Sequence, residues 1–358
     1  MWYECLTKER RGNEYLKKFK QISPSCSVAL ELLTPHTEFC NVRKTRKDLM
    51  DLQRTIEKPV VVQGIGLHSG KESHITLRPA PPDHGVVFHH MRHETDIPAR
   101  PEFVVDSHHA TTLGVNGSRI QTVEHLLAAA AGLGIDNLRI DVDGEEVPAL
   151  DGSAKEFVAL FERAGTVSQP SPRQALIITE PIRVGNERRW IQILPGTAFQ
   201  ISYTLDVDHP LVGTQAVSFP VTERAFVSQV AGARTYGFLR DVPSLWKQGL
   251  AQGGTLDNAV VVGKRKVLNG NLRFQDEFVR HKVLDLIGDL SLLGRPLVGH
   301  VIARNAGHAL NYQLVLAIKD ALTVTSRAIR SASRARVREG EPDLVLKKGL
   351  QPLPGAAF

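Results

Sequence analysis

Between residues 55 and 325, apolar residues either alternate with polar ones or gather into short β-branched runs bounded by Gly and Pro. Patterns of this kind mark strands. They predict strands at 59–63, 74–78 and 138–142, then at 175–178, 190–194, 200–205 and 299–303. Apolar positions spaced three and four apart predict helices at about 122–132, 154–164, 278–293 and 311–325. Residues 144–152 are turn-rich. Residues 166–173, with two prolines and three serines or threonines, read as an interdomain linker. Strands precede helices on both sides of it, which predicts an α+β chain of two units, 54–168 and 172–325. Residues 1–53 carry no sustained period and 326–358 form a basic tail. Order is expected to begin near Thr55. Met50 lies just upstream, so residues 1–53 are expected to be an extension or a start-site artefact.

Composition narrows the class. At 358 residues, 42% hydrophobic and 23% charged, the chain reads as globular and long enough for two domains. No window reaches the roughly 18–20 consecutive apolar residues of a membrane span. The first nineteen residues are interrupted by Lys8, Glu9, Arg10, Arg11, Lys17 and Lys18, which is unlike a secretory leader, so a cytoplasmic protein is expected. Cys5, Cys26 and Cys40 are the only cysteines. Any metal beyond them must be held by His, Asp or Glu. The net charge of +6 resides in the ends: residues 1–53 hold ten Lys or Arg against seven Asp or Glu, and 327–358 hold seven against three, which leaves the body at −1. A basic tail is usually solvated, with weak contact to anionic lipid as the sharper alternative.

The candidate chemistry centres on His281-Lys-Val-Leu-Asp285-Leu-Ile-Gly-Asp289. Positions four apart share one helix face, so His281 and Asp285 can bind one ion together, although such pairs are also common surface pairs. In Thr122-Val-Glu124-His125 an imidazole sits beside a carboxylate at a predicted helix start. His125, His281 and Asp285 would form an all-N/O set with one position left for water, as in catalytic zinc sites, and Glu124 would take the water's proton. The plainer alternative is a helix N-terminal carboxylate next to a buried His. His308 follows a predicted strand in Asn305-Ala-Gly-His308-Ala-Leu-Asn311, where it could protonate a leaving amine with Asp289 holding it charged, or could simply pack.

Six strings occur in order: Gly64-Ile-Gly-Leu-His-Ser-Gly70, Thr122-Val-Glu-His-Leu, Val147-Pro-Ala-Leu-Asp-Gly-Ser153, Ala233-Arg-Thr-Tyr-Gly-Phe238, Arg280-His-Lys-Val-Leu-Asp-Leu-Ile-Gly-Asp-Leu290 and Gly307-His-Ala-Leu-Asn311. Together they closely resemble the UDP-3-O-acyl-N-acetylglucosamine deacetylase (LpxC) family over about residues 55–321. The resemblance implies two α/β sandwich domains with helices packed between the two sheets and the active site at their junction. It implies His125, His281 and Asp285 as zinc ligands, Glu124 as general base, and His308 as general acid beside Asp289. It further implies Thr235 as a donor to the oxyanion and Lys282 as a contact to the phosphate-sugar part of the substrate. Tyr236 stands where phenylalanine is more usual and keeps a ring for stacking. His109 falls where some members place a substrate-facing histidine, with His108 adjacent. The stretch 238–262, with Leu245, Trp246, Leu250 and Gly253-Gly254, matches the insert that passes the acyl chain.

The expected activity is therefore zinc-dependent removal of the N-acetyl group from UDP-3-O-acyl-N-acetylglucosamine, the committed step of lipid A biosynthesis. Ferrous iron would tolerate the same ligands. A monomer with no nucleic-acid partner and at most peripheral membrane contact is expected. A zinc hydrolase of another acylated sugar is the rival within enzymes. A basic RNA-binding α/β scaffold is the rival outside them, and the near-neutral body argues against it.

Overall fold

The computed structural model describes residues 51–322. The expected tail at 326–358, and the expected extension apart from residues 51–53, lie outside the described residues. The described residues belong to one compact unit, in which strands and helices combine as an α+β fold.

Alternation decides which face each strand buries. In β3 (Glu72–Pro79) Ser73, Ile75 and Leu77 point inward while Glu72 and Arg78 face out. With β2 (Val60–Ile65), β9 (Leu138–Val142), β4 (Val86–His90) and β5 (Thr95–Pro98) it builds a five-stranded sheet in the order β2-β3-β9-β4-β5. The larger second sheet runs β12-β13-β18-β14-β15, formed by β12 (Ile182–Gly185), β13 (Trp190–Leu194), β14 (Phe199–Val207), β15 (Gly213–Pro220) and β18 (Leu297–Arg304). Strand β18 buries every second residue, among them Val301 and Ala303, and runs antiparallel to β13 but parallel to β14. The two-residue β11 (Leu176–Ile177) also pairs with it. A small third sheet, β6 (Val104–Asp106), β7 (Thr112–Val115) and β8 (Ser118–Ile120), leads into the first long helix.

Two buried helices form the centre of the core. Helix α1 (Glu124–Gly132) is buried along almost its whole length. Helix α5 (Glu277–Ser291) is buried on nearly every side, leaving Arg280, Lys282 and Ser291 partly accessible. A helix apolar all round belongs in an interior, and α1 packs directly against α5. Helix α2 (Lys155–Ala164) is amphipathic instead, burying Phe157, Val158, Leu160, Phe161 and Ala164. Helix α3 (Glu223–Gln229) is capped by the Thr222 hydroxyl, which accepts from the Ala225 amide at 3.2 Å. The residues of both sheets and the central helices join in one continuous core.

Three features depart from the pattern read in the sequence. Residues 166–173 are not a free linker: β10 (Thr166–Pro172) pairs antiparallel with β1 (Leu52–Ile56) in a two-stranded sheet. Both prolines fit because a two-stranded ribbon leaves half of its amides unneeded, and the buried Gln169 ties the ribbon down through Ala80 and Asn137. The first strand of the described residues starts at Leu52, slightly before Thr55. The last helix starts at residue 308, earlier than residue 311, and runs to 322, the last described position. The insert is a small βαβ unit in which β16 (Tyr236–Phe238) and β17 (Val260–Val262) run parallel and α4 (Val242–Lys247) lies between them.

The α1–α5 crossing is unusually close. A Cβ placed on Gly288 would lie 2.1 Å from the Glu124 carbonyl oxygen, so a glycine is required for the backbones to meet. Gly288→Ala is expected to destabilise the fold by about 1–3 kcal/mol through overpacking, more than its helix-propensity gain of roughly 1 kcal/mol returns. Thermal unfolding checks this, and an unchanged Tm would contradict the close approach.

Candidate metal centre

The start of α1 and successive turns of α5 deliver five ionisable side chains to one buried point: Glu124, His125, His281, Asp285 and Asp289. His308, first residue of the last helix, supplies the sixth from the second sheet's side. Among the described residues His125, His281 and Asp285 alone form a cluster able to hold a metal, with donor atoms within 4.8 Å of one another. His125 Nε2 lies 3.5 Å and His281 Nε2 3.3 Å from Asp285 Oδ1.

The residues present fit a cation. Asp285 Oδ1 is buried with no hydrogen-bond partner, and an unpaired carboxylate oxygen is costly in an interior. His281 donates from Nδ1 to the Ala233 carbonyl at 3.1 Å, which leaves the Nε2 lone pair facing the cluster. Burial presses the His281 pKa down to about 3, against the pull of Asp285, so the ring is neutral as a ligand must be. Burial would raise the Asp285 pKa, but its neighbours, the Lys282 charge among them, outweigh it and hold the carboxyl well below its usual range. Lys282 Nζ donates to Asp285 Oδ2 at 2.8 Å. Burial opposes the Lys282 charge, yet Asp285 leaves its pKa raised.

The flanking groups are held as firmly. Glu124 accepts from the Thr111 amide through Oε2 at 3.0 Å, while Oε1 lies 3.9 Å from His308 Nε2. Burial, chiefly, raises the Glu124 pKa. His308 donates from Nδ1 to Asp289 Oδ2 at 2.9 Å, and its Nε2 lies 3.8 Å from Asp285 Oδ2. Burial works against its charge, but Asp289 and Asp285 prevail and raise its pKa to about 10. Asp289 is itself fixed, accepting from the Thr111 hydroxyl at 2.5 Å and from Asn311 Nδ2 at 2.8 Å.

Residues 233–236 form a second wall. Arg234 forks onto the fully buried Glu277 through Nε at 2.8 Å and Nη2 at 3.1 Å, which sets the neighbouring Ala233 carbonyl against His281. The Thr235 backbone is pinned between the Gly152 carbonyl and the Val260 amide. The Tyr236 ring packs edge-on to Phe278 and lies 6.3 Å from the His281 ring, with Lys282 Nζ 5.7 Å from its centroid. His108 pairs with Asp106, 2.7 Å away, and lines a cleft with His308, whereas His109 lies within electrostatic reach of His68.

Several members of this site were not singled out in the sequence. His68 is buried, its Nδ1 accepts from the Ala251 amide, and burial lowers its pKa in the company of Glu146, His109, His308 and His125. Glu146 organises the loop that bears it, accepting from the His68 and Ser69 amides and from the Thr122 hydroxyl. Thr122 needs that grip, since its φ of +60° is strained for a β-branched residue. The strings containing His68 and Asn311 drew attention to the right segments. Nothing local marks Thr111, Glu146 or the Arg234–Glu277 pair, because their partners lie 13 to 178 residues away. The insert reaches the same loop: Gln252 and Gly253 donate to the His68 and Leu67 carbonyls, and a Cβ on Gly253 would sit 2.2 Å from the Gly66 oxygen.

The chain is similar in sequence to proteins of known name. The family described as UDP-3-O-acyl N-acetylglycosamine deacetylase, LpxC, matches residues 53–320. A UDP-3-O-acyl-N-acetylglucosamine deacetylase of Myxococcus xanthus is 50% identical over 266 residues, 74% of this chain and 85% of its own length. One from Oleidesulfovibrio alaskensis is 51% identical over 263 residues, covering 72% of this chain and 86% of its own. One from Anaeromyxobacter dehalogenans is 44% identical over 304 residues, 83% of this chain and 97% of its own. Since the match spans both sheets, both central helices and every residue of the buried cluster, the chain belongs to the LpxC family.

Proposed function

We infer that this chain hydrolyses the N-acetyl group of UDP-3-O-acyl-N-acetylglucosamine, giving acetate and the free 2-amino sugar nucleotide, the committed step of lipid A biosynthesis. The observation that carries the reading is the buried His125–His281–Asp285 cluster, flanked by Glu124 and His308, in a chain of this family. Two imidazoles and a carboxylate suit zinc and leave an open coordination position, while ferrous iron tolerates the same donors. When bound, the metal supplies Lewis acidity, polarising the acetamide carbonyl and bringing the pKa of water to about 7.

The protein's own groups do the rest. Glu124, with Oε2 tied to Thr111 and Oε1 turned toward His308, takes a proton as water oxygen bonds to the carbonyl carbon. The Thr235 hydroxyl donates to the oxyanion that forms. His308, kept charged by Asp289 and oriented through Nδ1, gives its Nε2 proton to the sugar nitrogen as the C–N bond breaks. An amide nitrogen leaves poorly as an anion, so this proton decides the direction of collapse. Acetic acid then ionises.

Two surfaces suit the remainder of the substrate. A cleft of about 240 Å3 beside His308 is lined by Arg189, His108, Asn186 and Gly307, and a guanidinium matches phosphate oxygens. Lys282 is the second cation at the site. Leu239, Trp246 and Leu256 in the insert are half exposed, an apolar surface with a purpose if it guides an acyl chain. Tyr236 and His109 complete the substrate contacts in this reading, and the enzyme is taken as cytoplasmic and monomeric.

Purified enzyme is expected to release acetate from the substrate, to stop on chelation, and to recover with about one equivalent of zinc. Asp285→Ala should lose metal and turnover together, whereas Glu124→Ala should keep the metal and lose about 10²–10⁴ in kcat. Full turnover in either variant would refute these roles. His308→Gln should lower kcat for the amide by about 10²–10⁴ while retaining metal. The loss should shrink on the corresponding O-acetyl substrate, whose alkoxide needs less protonation; an equal loss on both would contradict the proton-donor role.

A further inference from the structure

A cavity of about 310 Å3 lies on the other side of the α1–α5 crossing from the metal-ligand cluster. Leu127 stands two residues beyond His125, and Ile287 two beyond Asp285, which places each about 200° further round its helix. The same two helices therefore hold the metal donors on one face and wall this cavity on the other. Ala130 and Leu290 extend the helical walls, and Phe199 of β14 and Leu297 of β18 close them from the second sheet.

The polar groups in the wall are already satisfied within the protein. Ser291 donates to the Gly288 carbonyl at 2.6 Å, and Asp136 accepts from the Arg54 amide and from Arg173 Nε. The walls contributed by the helices are otherwise apolar, and the cavity is at the small end of the roughly 300–1,000 Å3 usual for ligand sites. The mouth is different. Arg173 and Arg295 line it, and the Arg100 guanidinium reaches it too, 3.3 Å from a Cβ placed on Gly294 and 3.6 Å from one on Gly85. Arg173 is paired with Asp136. Arg295 donates only to Gln174 and Ala175, and neither it nor Arg100 has a carboxylate at ion-pair distance among the described residues.

We propose that this cavity is a second ligand site, separate from the metal centre, for a single-chain anionic amphiphile. The alkyl tail lies between α1 and α5, and the carboxylate meets Arg100 and Arg295. An apolar slot with guanidiniums that lack a carboxylate partner at its rim complements that chemistry, since charge-assisted bonds to Arg fix the head while burial holds the tail. The proposal does not rest on the deacetylase reading.

Decanoate, below its micellar concentration, is titrated calorimetrically into the zinc-loaded full chain, alone and with the metal centre saturated by the deacetylated UDP-sugar. One equivalent should bind in both cases, and 1-decanol should bind more weakly. Replacing both rim arginines (R100Q with R295Q) should weaken decanoate by about tenfold or more while kcat/KM for deacetylation stays unchanged. Ala130→Leu, which fills the tail space, should abolish binding in protein that still unfolds cooperatively. Absence of binding, or binding that the arginine pair does not affect and that the UDP-sugar displaces, would overturn the proposal. If the chain turns over no substrate yet binds decanoate through the two arginines, the deacetylase reading fails and this site stands.

Discussion

The contact between the Glu124 backbone and Gly288 sets the geometry on which the site depends. Helix α1 begins where α5 is thinnest, so Glu124 and His125 come within reach of His281, Asp285 and Asp289 across a gap that a single methyl group would close. Helix α5 packs on β14 and β15, α1 packs on α2 and α3, and the common core holds the crossing at this separation. The three residues able to hold a metal thereby come from both halves of the chain, with neither half able to assemble them alone.

Placing three carboxylates and three imidazoles in such a place is costly unless every charge has a counterpart. The structure meets that demand specifically. Asp289 takes three donors and holds His308, Glu124 takes the Thr111 amide, and Asp285 takes Lys282 on one oxygen. The remaining Asp285 oxygen is the exception, unpaired and facing two imidazole Nε2 atoms. Cation binding is thus the natural completion of the network, and the outer bonds from Ala233 and Asp289 orient the rings toward it.

Much of this was legible in the sequence for one physical reason: helical spacing brings His281, Asp285 and Asp289 to one side, and a strand-to-helix turn presents His308. The strand at 190–194 and the helix at 154–164 were visible because one face of each is buried and the other is not, and the strand at 138–142 through its apolar alternation of Leu138, Ile140 and Val142. What stayed hidden depends on tertiary partners. The ribbon of β1 and β10 looked like a linker, since prolines and serines carry no apolar period, and only the pairing and the buried Gln169 make it a strand. Glu146 and Thr111 look like ordinary polar residues until the loop at 66–69 and the start of α1 arrive beside them. The Arg234–Glu277 pair, 43 residues apart, is equally silent until folded.

Anomalous diffraction at the zinc edge, from crystals loaded with one equivalent of zinc, tests the central claim most directly. A single peak enclosed by His125, His281 and Asp285 is the predicted result. A peak elsewhere, for example at the stacked His90–His93 pair, or none at all, would contradict the assignment of the α1–α5 crossing as the metal centre.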